Sequence, residues 1–245
     1  MKKGKLYIVG IGPGGRDEIT PRALTAITSS DVIAGYPPYL KLLGDLIAGK
    51  ETIVSGMGGE VERCRRAAAA AAGGQSVSLI SSGDAGVYGM AGIALQVVAA
   101  QNLEVRVEVV PGITAASTAA ALLGAPLMHD FTVISLSDLL TPWSLIEKRL
   151  HLAGEGDFVV VLYNPRSHTR KYQLEQAREI LLQYRKSETP TGIVRHGGRT
   201  GEEVTVTILE ELLSFPVDMH CTVIIGNSRS ITWQNRIITP RGYEL

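Results

Sequence analysis

The carboxylate of Asp84 stands in Ser81-Ser82-Gly83-Asp84-Ala85-Gly86-Val87-Tyr88-Gly89, a glycine-framed run between a strand-like and a helix-like stretch. Such a carboxylate can accept hydrogen bonds from an ammonium group or from ribose hydroxyls. It can also cap the helix that follows. The surrounding glycines favour the first reading, because they let the backbone come close to a bound molecule. Val110-Pro111-Gly112-Ile113-Thr114-Ala115-Ala116-Ser117 repeats the arrangement after the next strand, so the two loops would form one pocket wall. Leu162-Tyr163-Asn164-Pro165 would face them from a second domain, which points to an active site in an interdomain cleft.

Gly10-Ile11-Gly12-Pro13-Gly14-Gly15 formally satisfies G-x-G-x-x-G after a strand, the fingerprint of a dinucleotide site. An NAD-dependent oxidoreductase is therefore one function class to test. Two details count against it. Pro13 removes an N–H from the turn that should donate to a pyrophosphate. The only acid near the second strand, Asp31, precedes that strand instead of ending it. His129 can be read as a catalytic base or as a hydrogen-bonded structural histidine. Arg166, Arg170 and Lys171 cluster locally, as do Arg195 and Arg199, and beside a cleft they would pair with substrate carboxylates. No Gly-x-Ser-x-Gly elbow is present, and the histidine and cysteine spacings carry no metal signature. Cys64, inside a helix beside Arg63 and Arg65, reads as packing.

The elements that must hold these residues follow from hydrophobic periodicity and from start and stop signals. Strands are predicted at 5–9, 32–34, 76–81 and 105–110, with helices at 20–28, 60–72, 89–100 and 115–123. Thr20 and Pro21 open the first helix, and Gly73-Gly74 close the second. That alternation predicts a largely parallel sheet with helices on both faces. Beyond it, strands are predicted at 131–135, 158–162, 192–195, 203–207 and 222–225, and helices at 143–151, 171–184 and 208–214. Alternating Val204 and Val206 suggest a sheet edge or hairpin, hence a mixed-sheet α+β domain. The expected fold is thus two α/β domains, residues 1–118 and 119–245.

The chain has 245 residues, with 24 basic and 24 acidic side chains and no net charge, so no global field attracts nucleic acid or an anionic membrane. At 45% hydrophobic and 20% charged, it has the composition of an ordered globular protein. Two distant cysteines exclude a disulfide scaffold. The basic-then-apolar opening breaks at Gly10 and Pro13, too early for a signal peptide, and nothing approaches 18 apolar residues. A cytoplasmic protein without a membrane span is expected.

VGIGPGG, SSGDAGVYGMAG, VVPGITAAS, VVLYNPRS, GIVRHGGRTGE and VIIGNSRS, in this order, resemble the tetrapyrrole (class III) methyltransferases of cobalamin biosynthesis. The stretches GYPPY at 35–39, PLMHDFTVISLSDLLTPW at 126–143, LYNPRS at 162–167 and the tail TPRGYEL narrow the likeness to the precorrin-3B or cobalt-factor III C-17 branch. The resemblance covers essentially the whole chain. It implies a homodimer that methylates a tetrapyrrole at C-17 with ring contraction, using S-adenosylmethionine and no protein-bound metal. Another methyltransferase of the same pathway is the near alternative, and a non-enzymatic tetrapyrrole carrier a further one. Carried over by motif, the cofactor contacts would be Pro13, Ser82, Gly83, Asp84, Val87, Thr114, Ala115, Tyr163, Asn164, Gly197 and Asn227. His129, Tyr36 and Tyr39 would move protons, and Arg166, Arg195 and Arg199 would take the substrate's carboxylates. Some relatives carry an extra domain with iron–sulfur cysteines, which this sequence lacks.

Overall fold

The computed structural model describes residues 4–244. The first three residues of the basic opening and the last residue of the TPRGYEL tail lie outside the described residues. The chain packs as two compact units, Met1–Ala115 and Ala116–Leu245, where the sequence placed the change near residue 118.

The first unit runs β1 (Lys5–Gly10), α1 (Pro21–Ser29), β2 (Val32–Gly35), α2 (Pro37–Leu43), β3 (Glu51–Val54), α3 (Glu60–Ala72), β4 (Ser76–Ser81), α4 (Ala91–Ala100) and β5 (Arg106–Val110). Thr20 caps α1, its hydroxyl accepting from Ala23 N at 3.1 Å. The five strands lie in the order β3-β2-β4-β1-β5, and every pairing is parallel. Leu6, Ile8, Val77 and Leu79 face α3 and α4, while Val9, Ile33, Ile80 and Val110 face α1 and α2. Burial on both faces explains the nearly continuous apolar runs of these strands. Cys64 is buried in the first of these layers, where burial pushes its thiol up to about 11. It is a packing residue.

One ion network ties the edge strand β5 to its neighbours. Glu108 accepts from Lys5 Nζ at 2.5 Å and from Arg22 at 2.8 Å. These hydrogen bonds, Lys5 first and then Arg22, hold its carboxyl down at about 2, against 4.5 for a free side chain. Because the folded chain ionises Glu108 more readily than the unfolded chain, the network's stabilisation is complete above pH 4.5 and disappears as the pH falls towards 2. Glu108→Gln should therefore lower the melting temperature at pH 6 and make little difference near pH 2. Melting curves across that range check it, and an equal deficit at both ends would contradict it.

The second unit runs α5 (Ala115–Leu123), β6 (Gly124–Ala125), β7 (Phe131–Ser135), α6 (Trp143–Glu155), β8 (Val159–Tyr163), α7 (Gln173–Leu182), β9 (Pro190–Arg195), β10 (Glu203–Ile208), β11 (Cys221–Ile225), β12 (Ile231–Trp233) and β13 (Arg236–Ile238). A 3-10 turn covers Leu209–Ser214. The main sheet has the order β10-β9-β11-β8-β7. β7 and β8 are parallel, whereas β11 is antiparallel to both β8 and β9, so β7, β8 and β9 point the same way. Val160 and Leu162 pack towards α6 and α7; Val159 and Val161 pack towards α5. β9 and β10 form the hairpin that Val204 and Val206 suggested. A second, small sheet joins β12, β13 and β6.

Candidate active site

In an all-parallel sheet the carboxyl ends of the strands share one edge, and open α/β folds place ligands there. In the first unit that edge carries Pro13 after β1, Tyr36 after β2, Ser82 to Val87 after β4 and Thr114 after β5. Three of these loops are clasped together. Gly12 N donates to Gly83 O at 3.1 Å and Gly83 N to Gly12 O at 2.8 Å. Asp84 joins the third: its Oδ1 accepts from Gly86 N at 2.7 Å and its Oδ2 from Gly112 N at 3.0 Å. Asp84 is thus no helix cap, since α4 begins seven residues later behind Met90. A carboxylate offers about four lone-pair sites, so two backbone donors leave acceptor capacity for a ligand.

Glycine at 112 is required by close approach: a Cβ there would lie 2.3 Å from Gly83 O and 2.7 Å from the carbonyl carbon of Gly10. Gly83 is required by its backbone, with φ +63°. A Cβ at 83 would meet nothing nearer than Ile113 O at 3.8 Å, with Thr114 Cα and Ala115 N at 3.9 Å. At Gly83 the 82–87 turn therefore lies within van der Waals reach of the backbone of the 113–115 turn. Pro13 is buried in its turn and Val87 is exposed at the mouth of its own. Tyr36 and Tyr39 meet edge-on, ring centroids 5.3 Å apart, and Tyr39 packs on the apolar layer under α2. Asp31 Oδ2 accepts from Ser76 N at 2.8 Å, at the amino ends of β2 and β4. Its carboxylate holds the sheet together and is at the wrong end for a ribose.

In the second unit the carboxyl ends of β7, β8 and β9 gather Ser135, Tyr163 with Asn164, and Arg195 with Gly197. The Tyr163 hydroxyl accepts from Ala116 N at 2.7 Å, in the first turn of α5. Asn164, at φ +51°, donates from Nδ2 to Ser135 Oγ at 3.0 Å. Buried Arg170 locks this loop by donating from Nε to Asn164 O at 2.7 Å, while Arg166 is half-buried and Lys171 is exposed. Arg166 Nε is buried with no hydrogen-bond partner. Gly197 sits against α5, where a Cβ would lie 2.9 Å from Val194 and 3.6 Å from the Thr118 methyl. The Thr118 hydroxyl beside it is buried without a partner. Arg195 is already engaged, with Asp218 at 3.0 Å and Glu203 at 3.4 Å, so its first task is to hold the turn rather than a substrate. Arg199 N closes the turn onto His196 O at 2.8 Å. His196 stacks on His220 at 4.7 Å; burial first, then the neighbouring His220 and Arg195, push it below its ordinary value.

Two predicted residues are separated from this group. β11 runs against β8, so Asn227, beyond its carboxyl end, lies at the amino end of β8. There its Oδ1 accepts from Arg229 N at 3.0 Å, and Ser228 donates to Asp157 just before β8. His129 is at the same end, because Val159 N donates to Asp130 O. Its Nδ1 accepts from Asp130 N at 2.9 Å, which puts the ring proton on Nε2. The four residue steps of β7, at about 3.3 Å each, place roughly 13 Å between this end and Ser135. The sequence reading missed Ser135, whose role needs the β7–β8 pairing, and Thr118, hidden in a run of small residues.

Among the described residues no group of His, Cys, Asp and Glu could hold a metal, and no helix is long and apolar enough to cross a membrane. The profile of the Tetrapyrrole (Corrin/Porphyrin) Methylases matches residues 5–213. A Salmonella typhimurium protein named a probable cobalt-factor III C(17)-methyltransferase is 48% identical over 98% of this chain and 100% of its own length. The cobalt-factor III methyltransferase of Priestia megaterium is 47% identical over 99% of this chain, which spans only 46% of that longer protein. The solved structure of the methyltransferase CobJ superposes with a TM-score of 0.92 at 33% identity, covering 97% of this chain and all of that one. The same fold recurs in a uroporphyrin-III C-methyl transferase of Thermus thermophilus complexed with S-adenyl homocysteine, at a TM-score of 0.68 and 24% identity, over 91% and 92% of the two chains. The two units have the fold of these methyltransferases, and the chain belongs to the tetrapyrrole methylase family.

Proposed function

We propose that this protein transfers the methyl group of S-adenosylmethionine to C-17 of cobalt-factor III or precorrin-3B, with contraction of the macrocycle. The observation that carries the reading is the clasp of three glycine-bearing loops at the carboxyl edge of the parallel sheet, with the Asp84 carboxylate held by Gly86 N and Gly112 N. The names of the Salmonella and Priestia relatives support the substrate, and the S-adenyl homocysteine of the Thermus enzyme supports the donor. When bound, S-adenosylmethionine supplies an electrophilic methyl group on a sulfonium centre. The protein needs no nucleophile of its own, because an electron-rich ring carbon can attack directly.

Its residues bind, align and keep out water, which in well-oriented systems lowers a barrier by roughly 7–11 kcal/mol. Asp84 takes donor hydrogen bonds on its remaining lone pairs, Gly83 and Thr114 leave backbone exposed to the ligand, and Pro13, Ser82, Val87 and Ala115 complete that wall. By the family resemblance Tyr163, Asn164 and Gly197 are carried over as cofactor residues. Asn227, tied into its own turn, is left out of this set. Arg166 and Arg199 take peripheral carboxylates, with Arg195 holding the turn. The phenolic oxygen of Tyr36, beside Tyr39, moves the proton of ring contraction in preference to His129, which lies at the amino end of β8 beside Asp130. We infer that the enzyme works as a homodimer, as the resemblance implies, and in the cytoplasm.

The dinucleotide alternative loses its two essential groups, since Pro13 has no N–H to give and Asp31 is spent on Ser76 N. Calorimetry with S-adenosylmethionine and with NAD decides between them. Arg199→Lys should raise the tetrapyrrole KM by roughly tenfold, the loss of one charged hydrogen bond, and leave S-adenosylmethionine affinity unchanged. Equal weakening of both ligands would mean a displaced turn instead.

A further inference from the structure

The loop between β7 and α6 spends two leucines on solvent. Leu139 is 81% exposed and Leu140 98%, while the ends of the same loop are firmly fixed. Leu136 is fully buried and its N–H donates to Tyr163 O at 2.9 Å. Trp143, at the far end, packs on the core beneath α6. Between them, Ser135 Oγ accepts from Ser137 N and from Asn164 Nδ2, and Asp138 Oδ2 accepts from Gln173 Nε2 at 2.9 Å. A loop held this way has its tip presented by its surroundings. The tip carries adjacent apolar side chains that bury nothing in the fold.

Its position narrows the occupant. β7 and β8 are parallel neighbours, so the 136–142 and 164–172 loops leave the sheet side by side at the carboxyl edge. The second of these loops carries Arg166, with its buried and unpartnered Nε. Apolar surface on a loop next to the one that carries a half-buried arginine matches a broad flat ring with carboxylates on its rim better than it matches a nucleoside or an amino acid. Resting on the tetrapyrrole reading above, we propose that Leu139 and Leu140 form an apolar platform for the face of the macrocycle, with Arg166 taking one of its peripheral carboxylates. The leucines then bind the substrate and have no part in holding the methyl donor.

The test is the double variant L139S/L140S in the full chain, titrated with cobalt-factor III and, separately, with S-adenosylmethionine. Loss of apolar contact at two leucines should raise the cobalt-factor III dissociation constant on the order of tenfold to a hundredfold. The S-adenosylmethionine constant and the melting temperature should stay at wild-type values, because side chains this exposed contribute little to the core. Should the double variant be insoluble, Leu140→Ala removes the more exposed side chain alone and should move the same constant in the same direction. An unchanged cobalt-factor III constant, with wild type binding normally, overturns the platform. So does a fall in molecular mass by sedimentation, which would give the leucines to a second copy of the chain. If wild type itself fails to bind cobalt-factor III, the tetrapyrrole reading fails first.

Discussion

Asp84→Ala should weaken S-adenosylmethionine binding by on the order of tenfold to a hundredfold, the 1.5–3 kcal/mol typical of a hydrogen bond to a charged group. The substitution removes an acceptor from the ligand and also unties the loop after β4 from the loop after β5, because Gly112 N loses its partner. The two effects separate by experiment. Asp84→Asn keeps one side-chain oxygen and so keeps at most one of the two backbone bonds at full strength. If the carboxylate contacts the ligand, both variants lose affinity in calorimetry, while the asparagine variant melts closer to wild type. Lowered melting temperatures with an unchanged dissociation constant would leave Asp84 as a tie between loops and nothing more.

Gly83→Val should all but abolish S-adenosylmethionine binding, with a loss above a hundredfold. Left-handed backbone costs an L-residue roughly 1–2 kcal/mol, and a β-branched side chain bears it worst. The isopropyl group would also fill the space between Gly83 and the backbone of Ile113 to Ala115. Gly83→Ala divides the two causes, since its Cβ meets nothing closer than 3.8 Å. The alanine variant should melt a few degrees lower, in line with about 1 kcal/mol of backbone strain, and still bind. Equal loss of binding in both variants would show that the backbone conformation, and not the filled space, is what the ligand requires.

Where local signals are strong, the sequence was enough. α3 runs Glu60–Ala72 as predicted because Gly73-Gly74 stops it, and α5, β4 and β7 also match residue for residue. β3 escaped notice because it is an edge strand with only Ile53 buried, so it has no apolar alternation to read. α2 was hidden by its two opening prolines. The β12–β13 hairpin was missed because its turn places Gln234 and Asn235 at φ +45° and +59°, and glutamine rarely advertises that conformation.

The site was legible as a set of loops and illegible as a set of contacts. Asp84 stands out in the sequence, but its partner Gly112 is 28 residues away and is brought near only because β4 and β5 flank β1 on either side. The motif carries Asn227 over to the pocket of Tyr163, and residue type alone offers His129 as a base. What separates them is strand direction, and a single strand's composition does not reveal which way it runs. Arg195 was read as a free cation because Asp218, 23 residues on, returns to it only through the β9–β11 ladder.

The most direct measurement is incubation of the protein with cobalt-factor III and S-adenosylmethionine carrying a carbon-13 methyl group, followed by carbon-13 NMR of the isolated tetrapyrrole. One labelled methyl at C-17 of a ring-contracted product is the predicted result. Label on any other ring carbon, or turnover without label in the macrocycle, would contradict it.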